Sequence, residues 1–238
     1  MESITPATRR VFAVILLLSG LFSLIGFLTL PASGWPDTTQ GMPAADAFPL
    51  ISANLGAFRL GYLAMVAAGI LFLPAAIYIL RVLQPADRPI PLWLLVAAAL
   101  ALTSGALRVL WYAASLTVVP TLIGLWQDAD PATHAAINVV YITVNDLLST
   151  IQEDIGVNFL GAGFMLIVAV AVLRQGLFPR WTGALALVAG LGYVISSSEL
   201  AGIPNPSGVQ VVGPALSAIW LMILGVIELL RRTPVSKL

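Results

Sequence analysis

Six apolar runs constrain this chain more than any other feature, because each approaches the roughly 20 residues an α-helix needs to cross a hydrocarbon core. They are Val11 to Leu30, Leu60 to Leu80, Leu92 to about Leu110, Ile155 to Leu173, Trp181 to Leu200 and Pro214 to Leu230. The stretches between them are punctuated as loops: Pro31 to Phe58 with its prolines, the turn from Gln84 to Pro89, an acidic stretch around Asp128 and Asp130, Gln175 to Arg180, and Gly202 to Gly213. Composition rules out the soluble alternative. With 9% charged and 59% hydrophobic residues and a mean hydropathy of +0.99, the chain could not dress a water-facing surface. The expected fold is therefore all-α: one integral membrane domain over residues 1–238, a polytopic bundle of about six transmembrane helices.

Orientation follows from the basic residues, which short cytoplasmic loops collect. Arg9, Arg10, Arg81, Arg88, Arg174, Arg180, Arg231, Arg232 and Lys237 all fall on alternate loops or ends, leaving only Arg59 and Arg108 elsewhere. Asp37, Asp46, Asp128, Asp130, Glu153 and Asp154 fall on the opposite set. Both termini are thus expected in the cytoplasm, with the protein in the plasma (inner) membrane. The stretch from Ala135 to Ile151 is apolar enough to compete as a seventh span. Crossing there would invert the charge bias, however, and Asn138, Asn145, Asp146, Ser149 and Gln152 occupy one face at helical spacing. It reads as an amphipathic helix on the outer surface that can continue into the fourth span. The first run is too long for a signal-peptide core of about 7 to 15 residues, so an uncleaved helix is expected.

Little recognisable chemistry remains. The chain has no cysteine and one histidine, His134, which leaves no thiolate site, no bis-histidine haem and no ordinary zinc cluster. The one lysine, Lys237, lies at the tail, so no embedded lysine can carry a Schiff base. No cofactor is expected, and a net charge of zero argues against nucleic acid as a partner. His134 reads as a pH-sensitive external group or, more simply, as a solvated loop residue. Ser196, Ser197 and Ser198 lack a nearby base and read as serines bonded to backbone carbonyls. Ala97, Ala101 and Gly105 form a small-residue stripe suited to close helix packing, as do Gly192 and Ser196. Pro74 is expected to kink the second span. Glu228 stands four residues before Arg232, a spacing that pairs along one helix.

Ionisable groups at the outer ends of spans form the most specific constellation. Arg59 opens the second span and Arg108 lies late in the third. Glu153 and Asp154 precede the fourth, and Glu199 ends the fifth. Charges at such positions are costly unless paired or wet, which makes Arg59, Arg108, Glu153, Asp154 and Glu199 the candidate ligand-binding cluster; solvation by headgroups and water is the plainer account. The arginines are expected to face the bundle interior and pair with the carboxylates.

The stretch from Gly161 to Ser197 resembles a family of uncharacterised bacterial multi-pass membrane proteins, a domain of unknown function. Gly161, the turn Gly176-Leu177-Phe178-Pro179-Arg180, Gly183 and the run Ala189-Gly190-Leu191-Gly192-Tyr193 carry that resemblance, joined by Phe58-Arg59-Leu60-Gly61 and by Arg108. It implies the six-span layout and no activity. Three functional classes stay open. The leading expectation is a non-enzymatic protein that binds a small or lipid-like molecule, or assists its passage, at the outer polar site. A second is an accessory or scaffold subunit with a membrane-protein partner or a second copy of itself. A third is an intramembrane enzyme, for which Glu153, Asp154 and Glu199 would be the acid/base groups. Membrane lipids are partners in every case.

Overall fold

The computed structural model describes residues 5–32, 42–84, 89–203 and 209–231, and among them there is no strand. In chain order the helices are α1 (Pro6–Ala32), α2 (Ala44–Ala53), α3 (Leu55–Leu83), α4 (Leu92–Trp126), α5 (Pro131–Ser149), a π-helical segment (Thr150–Leu160), α6 (Gly161–Gln175), α7 (Arg180–Ser196), a 3-10 turn (Ser197–Ala201) and α8 (Val209–Leu230). The expected loop residues 33–41, 85–88, 204–208 and 232–238 lie outside this description, and with them Asp37, Arg88, Arg232 and Lys237.

Five helices are long and apolar enough to cross a membrane: Pro6–Pro31, Leu55–Leu83, Leu92–Trp126, Glu153–Gln175 and Val211–Leu230. The chain is thus a membrane-embedded helical bundle. The sixth expected span, Trp181 to Leu200, is shorter than foreseen: α7 has 17 residues and tightens into the 3-10 turn after Ser196. It nevertheless runs antiparallel to α8 through the same layer. Trp220 Nε1 donates to the Thr182 carbonyl near one end (3.0 Å), and Tyr193 and Ser217 share a hydroxyl hydrogen bond toward the other (2.7 Å). At that second end Gly192 and Gly213 bring the backbones together, since a Cβ on Gly192 would stand 3.0 Å from Gly213 Cα.

Two other expectations are corrected. The third span does not stop near Leu110: α4 has 35 residues, about 52 Å at 1.5 Å per residue, and so outreaches a core of about 30 Å. Nothing in Leu110 to Trp126 breaks a helix, because Pro120 is the one proline there and the surrounding packing tolerates it. The segment Pro31 to Phe58 is also more than a loop, since it contains α2 with Pro49 inside it. The Ala44 amide, which no residue of its own helix can satisfy, donates to Asn138 Oδ1 on α5 at 2.7 Å.

The helix expected over this stretch is present as α5 and runs without interruption through the π-helical segment into α6, but its faces are not divided as expected: Asn145 is buried, whereas Val140, Leu147 and Ile151 are exposed. Asp130 caps it, accepting from the Thr133 amide at 2.7 Å, with Pro131 in the first turn. Ala44, Phe48 and Ile51 of α2, Phe58 and Tyr62 of α3, Val119, Leu122 and Ile123 of α4, and Ile137 and Tyr141 of α5 form a second hydrophobic core at this end. The first core fills the rest of the bundle, from Leu83, Leu94 and Phe178 at one end to Phe72, Ala101 and Tyr193 farther in. Ala97, Ala101 and Gly105 are all buried, and a Cβ on Gly105 would stand 2.5 Å from Leu73 Cδ2. The small stripe therefore seats α4 on α3. Helix α3 continues through Pro74 as one element.

Candidate functional site

Two polar centres lie inside the bundle, at different depths and with opposite balances of donors and acceptors.

The first gathers at the end that carries Arg9, Arg81, Arg174, Arg180 and Arg231. Its centre is Glu228, whose side chain is fully buried. Tyr78 of α3 donates to Glu228 Oε2 at 2.7 Å, Arg9 of α1 brings Nε to 3.5 Å of that oxygen, and Arg231 brings Nη1 to 2.8 Å of Oε1. Arg231 also donates to the Leu177 carbonyl in the α6–α7 turn and lies over the Phe178 ring. Phe12 stacks on Tyr78 at 4.7 Å. One carboxylate thus ties α1, α3, α8 and the α6–α7 turn together. Sequence spacing pointed Glu228 at Arg232, which lies outside the described residues; the charges that reach Glu228 are Arg231, one turn away, and Arg9, from the far end of the chain.

The second centre lies deeper, where α3, α4, α6 and α7 converge. A helical side chain leans toward its own N-terminus, so Arg108 reaches back along α4 to the level of Ser104. Its Cζ lies 5.3 Å from the centroid of Phe72 on α3. Its Nη2 stands 3.1 Å from where a Cβ on Gly161 would be, with Ser104 Oγ and Tyr193 Cε2 each 3.9 Å from that point. Gly161 thereby lets the guanidinium lie against the backbone where the π-helical segment gives way to α6. Arg108 Nε and Ser104 Oγ are both buried and have no hydrogen-bond partner. Buried polar groups are ordinarily satisfied, so two orphans one turn apart on the same face of α4 call for an explanation.

Across from them runs the π-helical segment, a form that in proteins often marks functional positions. A Cβ on Gly156 would touch Leu107 Cβ at 3.0 Å, and one on Gly163 would touch Leu100 Cδ1 at 2.8 Å. This antiparallel register puts Asp154 and Asn158 within about a turn of Arg108. Both are buried, at 7% and 2% exposure, and Asp154 is itself partnered.

The five predicted residues are therefore not all together. Arg108, Asp154 and Glu153 share the interface between α4 and the π-helical segment, although Glu153 acts electrostatically on Tyr62, whose hydroxyl has Ser115 as its hydrogen-bond partner. The 3-10 turn that carries Glu199 packs on the π-helical segment, but the Glu199 side chain lies outside the described residues. Arg59 does not face the interior as expected: it is exposed at the start of α3. The inward positions of that turn are taken by Phe58 and Tyr62, which bury rings that no guanidinium could displace without desolvation.

Sequence reasoning missed Ser104 and Asn158. Ser104 was findable as the residue four before Arg108 on one helix face; Asn158 was not, because the π turn shifts the facing of every residue after Thr150. His134 is half-buried: its ring stacks on Trp126 at 4.1 Å, and Nε2 donates to the Trp126 carbonyl at 2.9 Å, closing the α4–α5 turn. The serines behave as expected. Ser196 and Ser197 donate to the carbonyls of Gly192 and Tyr193 (3.1 and 2.9 Å), and Ser198 to that of Ile203 (3.3 Å).

Farther out, α4 and α5 enclose a crevice of about 260 Å³, part of it open space, lined by Trp111, Ser115, Leu122, Tyr141 and Asn145 among others. The Tyr141 hydroxyl is buried there without a hydrogen-bond partner. Burial, helped by the Asp146 carboxylate, pushes its pKa up to about 12. Among the described residues no three His, Asp or Glu side chains gather as a metal site needs.

No curated protein and no solved structure matches the chain. A family model, that of a domain of unknown function designated DUF4386, matches residues 11–229. That span takes in most of α1 through nearly all of α8, including Ser104, Arg108, Tyr78 and Glu228 but not Arg9 or Arg231, and the chain therefore belongs to the DUF4386 family.

Proposed function

We propose that this is a non-enzymatic membrane protein that holds a small or lipid-like molecule at the Arg108 centre, in the outer half of the plasma (inner) membrane. One observation carries the reading: Arg108 Nε and Ser104 Oγ are buried together without partners. An ionisable group at this depth is expensive and is kept in most proteins for a purpose. A ligand that completed the hydrogen bonds would remove much of that cost. No nucleophile with an oriented base adjoins the centre among the described residues, which favours binding over catalysis.

The sidedness belongs to the same reading. Arg9, Arg81, Arg174, Arg180 and Arg231 lie on helix ends that share one face of the bundle, and the positive-inside rule assigns that face to the cytoplasm. Both termini then lie inside, and the α2–α5 layer lies outside.

The test is native mass spectrometry of protein released from gentle detergent. Wild-type protein should carry a bound mass that Arg108→Leu and Ser104→Val lose while remaining monodisperse. A wild-type spectrum without adducts, or adducts indifferent to both substitutions, would refute the reading.

A further inference from the structure

We infer that the molecule held at the Arg108 centre is an acyl-chain amphiphile with an oxyanion head, a carboxylate or a phosphate; this rests on the reading that the centre binds a ligand. The missing partners have a common character. An Nε–H can only donate, a guanidinium has no acceptor, and the Ser104 hydroxyl has a proton to give. What the centre lacks is an acceptor, and a charged one offsets the guanidinium as well. Asp154 does not complete it: that carboxylate has an interaction of its own, and Arg108 Nε stays without a hydrogen-bond partner.

Shape narrows the choice. Phe72 covers the guanidinium at 5.3 Å from its ring centroid, and the Gly161 backbone backs Nη2. A planar guanidinium recognises carboxylate and phosphate through paired N–H groups on its edge, and here the edge that holds Nε is the unsatisfied one. The surroundings supply the other half of the ligand. Phe72 and Tyr193 are apolar neighbours of the centre, and Arg108 is only partly buried. Part of Arg108 thus stays accessible at the flank of α4, a helix long and apolar enough to cross the membrane, while Nε and Ser104 Oγ are themselves closed off. A molecule arriving from the bilayer must be at home there, which requires an acyl chain behind the charged head.

The test titrates oleate, phosphatidylglycerol, monoolein and inorganic phosphate into delipidated protein, reading thermal unfolding and native mass spectra together. Monoolein carries the oleoyl chain without a charge, and phosphate carries the charge without a chain. Oleate or phosphatidylglycerol should bind about ten- to hundredfold more tightly than monoolein, the span expected for a hydrogen bond to a charged group. Arg108→Gln should lose a similar factor, Ser104→Ala a few-fold, and Arg108→Lys an intermediate amount because charge survives and the fork does not. Ser104→Ala is mild enough to fold even where the arginine variants do not. Preference for oleate assigns the head as a carboxylate and preference for phosphatidylglycerol as a phosphate, and either supports the inference. Monoolein bound as tightly as oleate, with Arg108 still required, would overturn the inference and leave the binding reading standing. Phosphate bound as tightly as either lipid would do the same. Failure of every probe to bind the wild-type protein would overturn the binding reading itself.

Discussion

Glu228→Leu tests whether the carboxylate at the basic end of the bundle holds the helices together. The substitution removes the acceptor for Tyr78 at 2.7 Å and the counter-charge for Arg9 and Arg231. Breaking a fully desolvated ion pair costs about 3 to 5 kcal/mol. Here the arginine side chains are 18% and 32% exposed, so they can turn toward water, and their share falls toward the 0 to 1 kcal/mol of exposed pairs. The Tyr78 hydroxyl has no such escape, and an orphaned buried hydroxyl costs about 1 to 3 kcal/mol. The total for Glu228→Leu is then about 1 to 4 kcal/mol. Glu228→Gln keeps an acceptor for Tyr78 and loses only the charge, so about 1 kcal/mol is expected. Tyr78→Phe, which keeps the stack on Phe12, should also cost about 1 kcal/mol. Reversible denaturant unfolding in detergent measures all three. If Glu228→Leu unfolded at the wild-type midpoint, or if Glu228→Gln were the worse of the two, the node would be a wet surface cluster and its ranking of contributions would be wrong.

A reporter fused after Leu238 should behave as cytoplasmic and one placed between Pro31 and Phe58 as external; external access to a tag in 175–179, with the N-terminus inside, would break the sidedness. Gly213→Ala should destabilise by about 1 to 3 kcal/mol, as overpacking does, because its Cβ would meet the Tyr193 amide nitrogen at 2.8 Å. Gly56→Ala, with nothing within 4 Å, should be neutral or stabilising by the same unfolding assay, and equal effects would contradict the packing. The cap on α5 should be pH-dependent. The Thr133 amide holds the Asp130 carboxyl below its usual range, so the cap contributes fully above the unfolded value of about 3.9 and is lost as pH falls through the lower folded value. Amide chemical shifts of Thr133 and His134 would report this loss, and Asp130→Asn, which caps without titrating, should abolish it.

Legibility in the sequence followed the range of the interaction concerned. Span positions depend on local composition, and five of the six runs appear as helices long enough to cross. That α5 is a helix depends on spacing within one segment and was equally plain, but its facing was not, since α4 takes Asn145 inward and leaves Val140 and Leu147 exposed. The end of α4 was not, because apolarity alone cannot distinguish a segment buried in lipid from one buried against α2 and α5. Long-range pairing was hardest to read. Nothing near Glu228 announces Arg9, and spacing within α8 favours Arg232. Arg59 and Arg108 look alike as arginines at the outer ends of spans, yet one is exposed and the other meets Phe72. What separates them is the small stripe of α4, which draws α3 close enough for Phe72 to reach Arg108, and the glycine at 161.

The contrast between the two polar centres carries the functional argument further than either does alone. Both put arginines among aromatic rings inside a helical bundle, and both would be expensive if left incomplete. At Glu228 the charge is answered within the chain: one carboxylate meets a tyrosine hydroxyl and two guanidiniums drawn from separate helices, Arg231 reaching Oε1 as an ion pair at 2.8 Å although that oxygen has no well-directed hydrogen bond. Such a node is finished by the chain itself, and its role is cohesion. At Arg108 the donors outnumber the acceptors, although Ser104 could have been an alanine like its neighbours Ala97 and Ala101 at no loss of packing. A chain that builds one complete polar node by long-range pairing could have completed a second. That the second keeps buried, unsatisfied donors beside a π-helical turn is the structural reason to look for an acceptor that comes from outside the chain.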